Sequence, residues 1–262
     1  MILSIDPQYT PQSNQSTLMK NTLFLIFMLA AALSVHAEKY ALIIAIGDYP
    51  EEGKWPDISS QNDVLHVEAA LLKLGFPADH IRKITDGQAT KQGILDALNG
   101  LTSRVTKGDI VYIHYSGHGQ QVVDQGTDEV DGLDEALVPY DSPLEFKAGI
   151  YEGINLIRDD EMGEVTANLR LRCGPTGQVI LILDSCHSGT GTRGMGYVRG
   201  TDRLMAPANF TPGQKQFEKI QGSEGLTQPD MAPMASFFGA SPRELNYEAK
   251  DEQSRTVGSL TY

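Results

Sequence analysis

Cys186 sits in Asp184-Ser185-Cys186-His187-Ser188-Gly189, directly after the apolar run Val179–Leu183. His118 sits in Tyr115-Ser116-Gly117-His118-Gly119, directly after a second such run in residues 109–116. A thiol becomes a strong nucleophile when a nearby imidazole takes its proton. Cys186 would then attack a carbonyl, with His118 acting first as base and then as acid. The backbone N–H groups of Gly119 and Cys186 would hold the oxyanion that forms. Either residue alone reads as well as a buried thiol or a hydrogen-bonded histidine. The chemical reading rests on the pair, each just past an apolar run and flanked by glycine or small residues. His187 is a poor base for its neighbour, because consecutive residues leaving a strand point to opposite sides. His66, His80 and His114 fall on a helix, before a strand and within a strand, away from either tip.

The elements that must position this pair alternate. Apolar runs at 39–49, 80–85, 109–116, 178–184 and 234–241 read as strands. Helical spacing appears at 60–76, at 90–105 with Thr90 as N-cap, and at 158–173 with acids in the first turn and arginines in the last. This order predicts an α/β fold, a mostly parallel sheet with helices on both faces. In such sheets reactive groups gather beyond the carboxyl ends of the strands. Neighbouring strands lie about 4.8 Å apart, so the tips carrying His118 and Cys186 can meet if their strands are adjacent. Two stretches break the alternation. Residues 120–135 are acidic and do not fit the EF-hand spacing. They are expected as a solvated loop shaping the cleft, with metal binding as the second reading. Residues 187–233 are expected as one long loop, and the final Val257-Gly258-Ser259-Leu260-Thr261-Tyr262 as a strand at which the chain is cut short.

Acids outnumber bases, 34 Asp and Glu against 21 Lys and Arg, for a net charge of −13. That argues against nucleic acid as a partner and suits basic peptides. Near the N-terminus Lys20 precedes the apolar stretch Leu23–Leu33, which ends in Val35-His36-Ala37. A basic residue, a short apolar core and a small residue before the cut form a secretory signal. Translation is expected to start at Met19 and cleavage to follow Ala37, leaving residues 38–262 as one domain, exported to the periplasm or the extracellular space. The membrane is then met only through the signal, an uncleaved anchor being the alternative. Cys173 and Cys186 flank a strand, which separates them by roughly 20 Å, beyond the reach of a disulfide. Cys173 reads as a small buried hydrophobe and Cys186 as a free thiol. The sequence sets no oligomeric state.

The paired motifs HYSGHG and DSCHSG resemble the caspase-fold cysteine peptidases, and within them the metacaspases, from about Lys39 to the C-terminus. The resemblance implies a caspase-like fold, a His118–Cys186 dyad, and endopeptidase activity after Arg or Lys rather than Asp. It also implies a specificity pocket lined by Asp63, Ser116 and Asp184, whose carboxylates would suit a guanidinium best. Ser60 stands where many of that family have cysteine. The chemistry needs no cofactor, but many metacaspases use calcium as activator. Asp159 and Asp160 match one part of that site, while Arg193 stands where another part needs an acid, so calcium dependence stays open. Arg193, Arg199, Arg203, Lys215 and Lys219 are candidate points of self-cleavage. Two alternatives remain: a caspase-fold peptidase of other specificity, and a non-catalytic caspase-like scaffold.

Overall fold

The computed structural model describes residues 37–126, 129, 131–187, 198–213, 229–240 and 245–262. The signal segment, Arg193, Lys215 and Lys219 lie outside the described residues. Five parallel strands form the central sheet: β1 (Lys39–Ala45), β2 (Ile81–Thr85), β3 (Ile110–Ser116), β7 (Gln178–Asp184) and β8 (Met234–Phe238). Their spatial order is β2-β1-β3-β7-β8. Among the described residues three α-helices cover it: α1 (Ser60–Lys73), α2 (Lys91–Arg104) and α3 (Asp159–Cys173).

The near-continuous apolar run of β1 follows from burial on both faces. Ala41 and Ile43 join Val67 and Leu71 of α1, with Phe76 and Ile81, in one core cluster. Leu42 and Ile44, one residue out of phase, join Ile94, Ala97 and Leu98 of α2 and Met162 and Leu169 of α3 in the other. The helices therefore lie on opposite faces of the sheet, as the alternation of strand and helix requires. Thr90 caps α2 by accepting a hydrogen bond from Gly93 N–H. Glu161 ties the start of α3 by accepting a hydrogen bond from Arg158 N–H at 3.1 Å.

The stretches that break the alternation depart from their expected forms. Residues 120–135 are not simply a solvated loop. Their two ends lie in β4 (Gly119–Val123) and β5 (Leu133–Leu137), paired antiparallel, with the short β6 (Ile157–Arg158) beside β5. Asp134 is buried there against the Arg158 guanidinium. An acid-rich pattern hid these strands because Asp134 is buried by its pairing with Arg158 rather than left to water. The described part of 187–233 is not one surface loop either, since Gly200 and Met205 bridge in parallel to Gly119 and Val122 of β4. At the C-terminus only Thr256–Gly258 forms a strand, β10, paired with β9 (Glu248–Lys250). Beyond it Thr261 turns back onto Asp184. No helix among the described residues is long and apolar enough to cross a membrane.

Candidate active site

Strands β3 and β7 are direct neighbours, with Ser116 opposite Asp184 in the register. His118 and Cys186 each follow two residues later, so the pairing carries both to the same end of the sheet. Both are buried, and neither cysteine of the chain is in a disulfide. Cys173 is a buried core residue of α3 whose thiol burial pushes up to about 11.

The imidazole of His118 is tightly framed. It stacks on Trp55 with ring centroids 4.8 Å apart and packs against Tyr49 at 5.1 Å. Its Nε2 lies 2.8 Å from the Pro56 carbonyl oxygen. A carbonyl only accepts, so Nε2 carries the proton and Nδ1 keeps its lone pair. Nδ1 is buried without a hydrogen-bond partner. Burial pushes the pKa of His118 down to about 4; the Pro56 contact opposes this and the charge of Arg199 adds to it. The ring is thus neutral at ordinary pH, with a bare nitrogen able to accept a proton. Nothing in the sequence marks Pro56, because the contact is made by its main chain.

Arg199 enters the site with both its main chain and its side chain. Its carbonyl oxygen accepts hydrogen bonds from Cys186 N–H at 2.9 Å and from Gly119 N–H at 3.2 Å. Its side chain is fully buried. Nη1 lies 2.7 Å from Asp63 Oδ2 and donates to Ser116 Oγ at 2.5 Å, while Nη2 reaches Glu248 Oε1 at 3.3 Å. Burial works against the charge of Arg199, but Asp63, Asp184 and Glu248 outweigh it and hold its pKa above the usual value.

The three acids play different parts. Asp63, in the first turn of α1, also accepts from Gly258 N–H at 2.8 Å and from Ser116 Oγ. Burial raises its pKa, and Arg199 opposes the rise. Asp184 stands 3.8 Å from Nη1, and its oxygens are engaged by Asn246 Nδ2 at 2.6 Å and Thr261 N–H at 2.9 Å. It holds the pocket wall in place more than it grips the guanidinium. Glu248, on β9, makes the second contact and is itself steadied by Ser59 N–H at 2.7 Å. Glu248 lies in no motif, and only the packing of the β9–β10 hairpin over α1 brings it here. Ser60 is buried in the same turn of α1 as Asp63, its hydroxyl without a hydrogen-bond partner.

A separate acidic group lies at the start of α3. One ligand oxygen each from Glu129, Glu135 and Asp159 falls within 4.8 Å of the others. Asp160, paired with Asp159 in the sequence expectation, is outside this group. Desolvation and the carboxylates of Glu135 and Asp134 raise the pKa of Asp159 to about 7. Three carboxylate donors suit a hard cation such as calcium.

Comparison with known proteins identifies the family of the chain. The profile of the metacaspase, peptidase C14 domain matches residues 39–193. A metacaspase-1 of Candida albicans is 36% identical over 212 residues, covering 76% of this chain and 44% of that one. A metacaspase-1A of Aspergillus oryzae is 28% identical over 237 residues, covering 84% and 51%. The chain thus spans about half the length of these relatives. A Geobacter sulfurreducens protein of known crystal structure shares the fold with a TM-score of 0.55 and 22% identity, over 86% of this chain and 79% of that one. The chain, with its caspase-like parallel sheet, belongs to the metacaspase family of cysteine peptidases.

Proposed function

We propose that the protein is an exported cysteine endopeptidase that cleaves peptide bonds after Arg or Lys. The observation that carries this reading is Arg199, whose guanidinium fills a pocket of carboxylates while its carbonyl oxygen takes both N–H groups beside Cys186. A substrate with a basic residue before the scissile bond would be held the same way. His118 Nδ1 takes the thiol proton, and Cys186 Sγ adds to the carbonyl carbon. The N–H groups of Cys186 and Gly119 bear the oxyanion. His118 then protonates the leaving amine, and water hydrolyses the thioester.

Reporter peptides ending in Arg, Lys or Asp test this reading, compared for the wild type, Cys186→Ala and His118→Ala. Both variants are expected to lose activity, His118→Ala by about 10²- to 10⁴-fold. Cleavage after Asp alone, or equal rates in the wild type and Cys186→Ala, would refute it. Export is supported by the basic, apolar and small-residue pattern ending at Ala37. N-terminal sequencing of the protein recovered outside the inner membrane is expected to begin at Glu38. Calcium as activator is supported by the group of Glu129, Glu135 and Asp159, which would be its ligands.

A further inference from the structure

His114 interrupts the apolar strand β3 with a buried imidazole whose cross-strand partners are Ile43 and Ile182. A polar ring in that place costs stability unless its nitrogens are bonded. Both are. Nε2 lies 3.1 Å from Thr261 Oγ1, and Nδ1 lies 3.3 Å from the Tyr112 hydroxyl. The Thr261 hydroxyl in turn donates to Asp184 Oδ2. A carboxylate only accepts, so the hydroxyl proton goes to Asp184 and the Thr261 oxygen is left to accept from His114. His114 therefore carries its proton on Nε2 and takes the Tyr112 hydroxyl on Nδ1. Burial lowers its pKa to about 4 against the opposing charge of Asp184, which keeps the ring neutral at ordinary pH. The donors run one way, from Tyr112 through His114 and Thr261 to Asp184.

Asp184 Oδ2 is the oxygen that faces the guanidinium in the pocket, 3.8 Å from Arg199 Nη1. Its two acceptor sites are filled, one by the Thr261 hydroxyl and one by the Thr261 N–H at 2.9 Å. Oδ1 is held by Asn246 Nδ2 at 2.6 Å, and that amide is itself set by the Ser259 hydroxyl on its Oδ1 at 2.7 Å. Asp184 is thus turned onto neutral donors and kept outside hydrogen-bond range of the cation. What remains for the cation is Asp63 at Nη1 and Glu248 at Nη2, a pair matched to a planar fork. A lysine ammonium gathers three donors at one point, and a third acceptor beside Asp63 and Ser116 would suit it. Asp184 is the carboxylate placed to be that acceptor once its Oδ2 is released. Docking of the C-terminal segment does not need the hydroxyl or the imidazole. Thr261 N–H and Asn246 already tie that segment to Asp184, and Gly258 N–H ties it to Asp63 at 2.8 Å.

We propose that Thr261, aimed by His114, is a positioning residue that makes the pocket prefer Arg over Lys, by holding Asp184 away from the cation. The proposal rests on the basic-residue peptidase reading of the same pocket. Thr261 and His114 act through the direction of one carboxylate rather than through a bond of their own to the cation.

Two reporter peptides that differ only in Arg or Lys before the scissile bond are compared on each sample of the full chain. The readout is the ratio of their kcat/KM values, because an inactive fraction or a competitor for the pocket cancels from it. The wild type is expected to favour Arg. Thr261→Val removes the hydroxyl at nearly constant volume and should lower the Arg-to-Lys ratio by about tenfold. Thr261→Ser keeps the hydroxyl and should keep the ratio. His114→Gln places an amide N–H where Nε2 stood and should also keep it, whereas His114→Leu should lower it. A Thr261→Val protein that loses activity toward both reporters equally, with the ratio unchanged, overturns the proposal and leaves the hydroxyl a docking contact. If Thr261→Val is recovered unfolded, the two His114 variants decide, and equal ratios in both overturn the proposal. A wild type that cleaves after Arg and Lys without preference overturns it and leaves the peptidase reading standing. A folded wild type that hydrolyses neither reporter defeats the peptidase reading and this proposal with it.

Discussion

At the scale of single residues, the pocket is asymmetric. The two outer nitrogens of the Arg199 guanidinium are divided between Asp63 and Glu248, which lie on different elements. A planar fork can satisfy both carboxylates at once, whereas a lysine ammonium is a single point charge. Glu248→Gln is therefore expected to lower kcat/KM for Arg reporters by about 10- to 100-fold, the loss of one charge-assisted contact. It should lower the value for Lys reporters less, and equal losses for both would show that Glu248 does not read the fork. Gly258 tests the same pocket from its wall. A Cβ there would lie 2.7 Å from Arg199 Nη1, and nearer still to Asp184 Oδ2. Gly258→Ala should raise KM for basic reporters steeply, and an unchanged KM would mean that this wall does not bound the pocket.

At the scale of elements, β3 and β7 pair in parallel and carry His118 and Cys186 just beyond their ends, with the antiparallel β4–β5 unit beside them. The start of α3 joins that unit to the acidic group, since Arg158 pairs with Asp134 and donates to the Val123 carbonyl at 2.8 Å. Val123 also holds Met205. A cation bound by Glu129, Glu135 and Asp159 would brace the same unit. Calorimetry with calcium is expected to show binding to the wild type that Asp159→Asn weakens by about tenfold or more. Reporter cleavage unaffected by a chelator would separate this group from activation.

At the scale of the whole molecule, the site carries buried histidines whose charging opposes folding. Burial brings both His114 and His118 down to about 4, below the usual value of 6.5. Between those pH values the unfolded chain binds more protons than the folded one, so stability rises with pH through this window and is lost as pH falls. For His118 the loss is on the order of 3 kcal/mol once pH drops below 4. Asp63, whose pKa burial raises, works in the opposite direction. The urea midpoint of the full chain is expected to fall as pH is lowered from 6.5 to 4. His118→Gln should flatten that fall, and a slope equal to the parent's would remove His118 as its source.

The sequence by itself determined the strand–helix alternation and the two strand tips with their thiol and imidazole. Asp63, Ser116 and Asp184 were named only through the resemblance carried by the paired motifs, since each alone reads as an ordinary cap or turn residue. Burial on both faces leaves β1, β3 and β7 apolar, and that signal survives without knowledge of any partner. Pro56, Arg199, Glu248 and Thr261 carried no such signal. Pro56 and Arg199 meet His118 and the N–H groups of Gly119 and Cys186 through main-chain oxygens, which residue type does not encode. Glu248 and Thr261 reach the pocket only when the C-terminal hairpin packs over α1, far from Asp63 and Asp184 in the chain. Arg199 was one of five basic residues in a stretch without periodicity. Only the tertiary structure distinguished it, because its guanidinium and its carbonyl oxygen are engaged together once they are docked in the cleft.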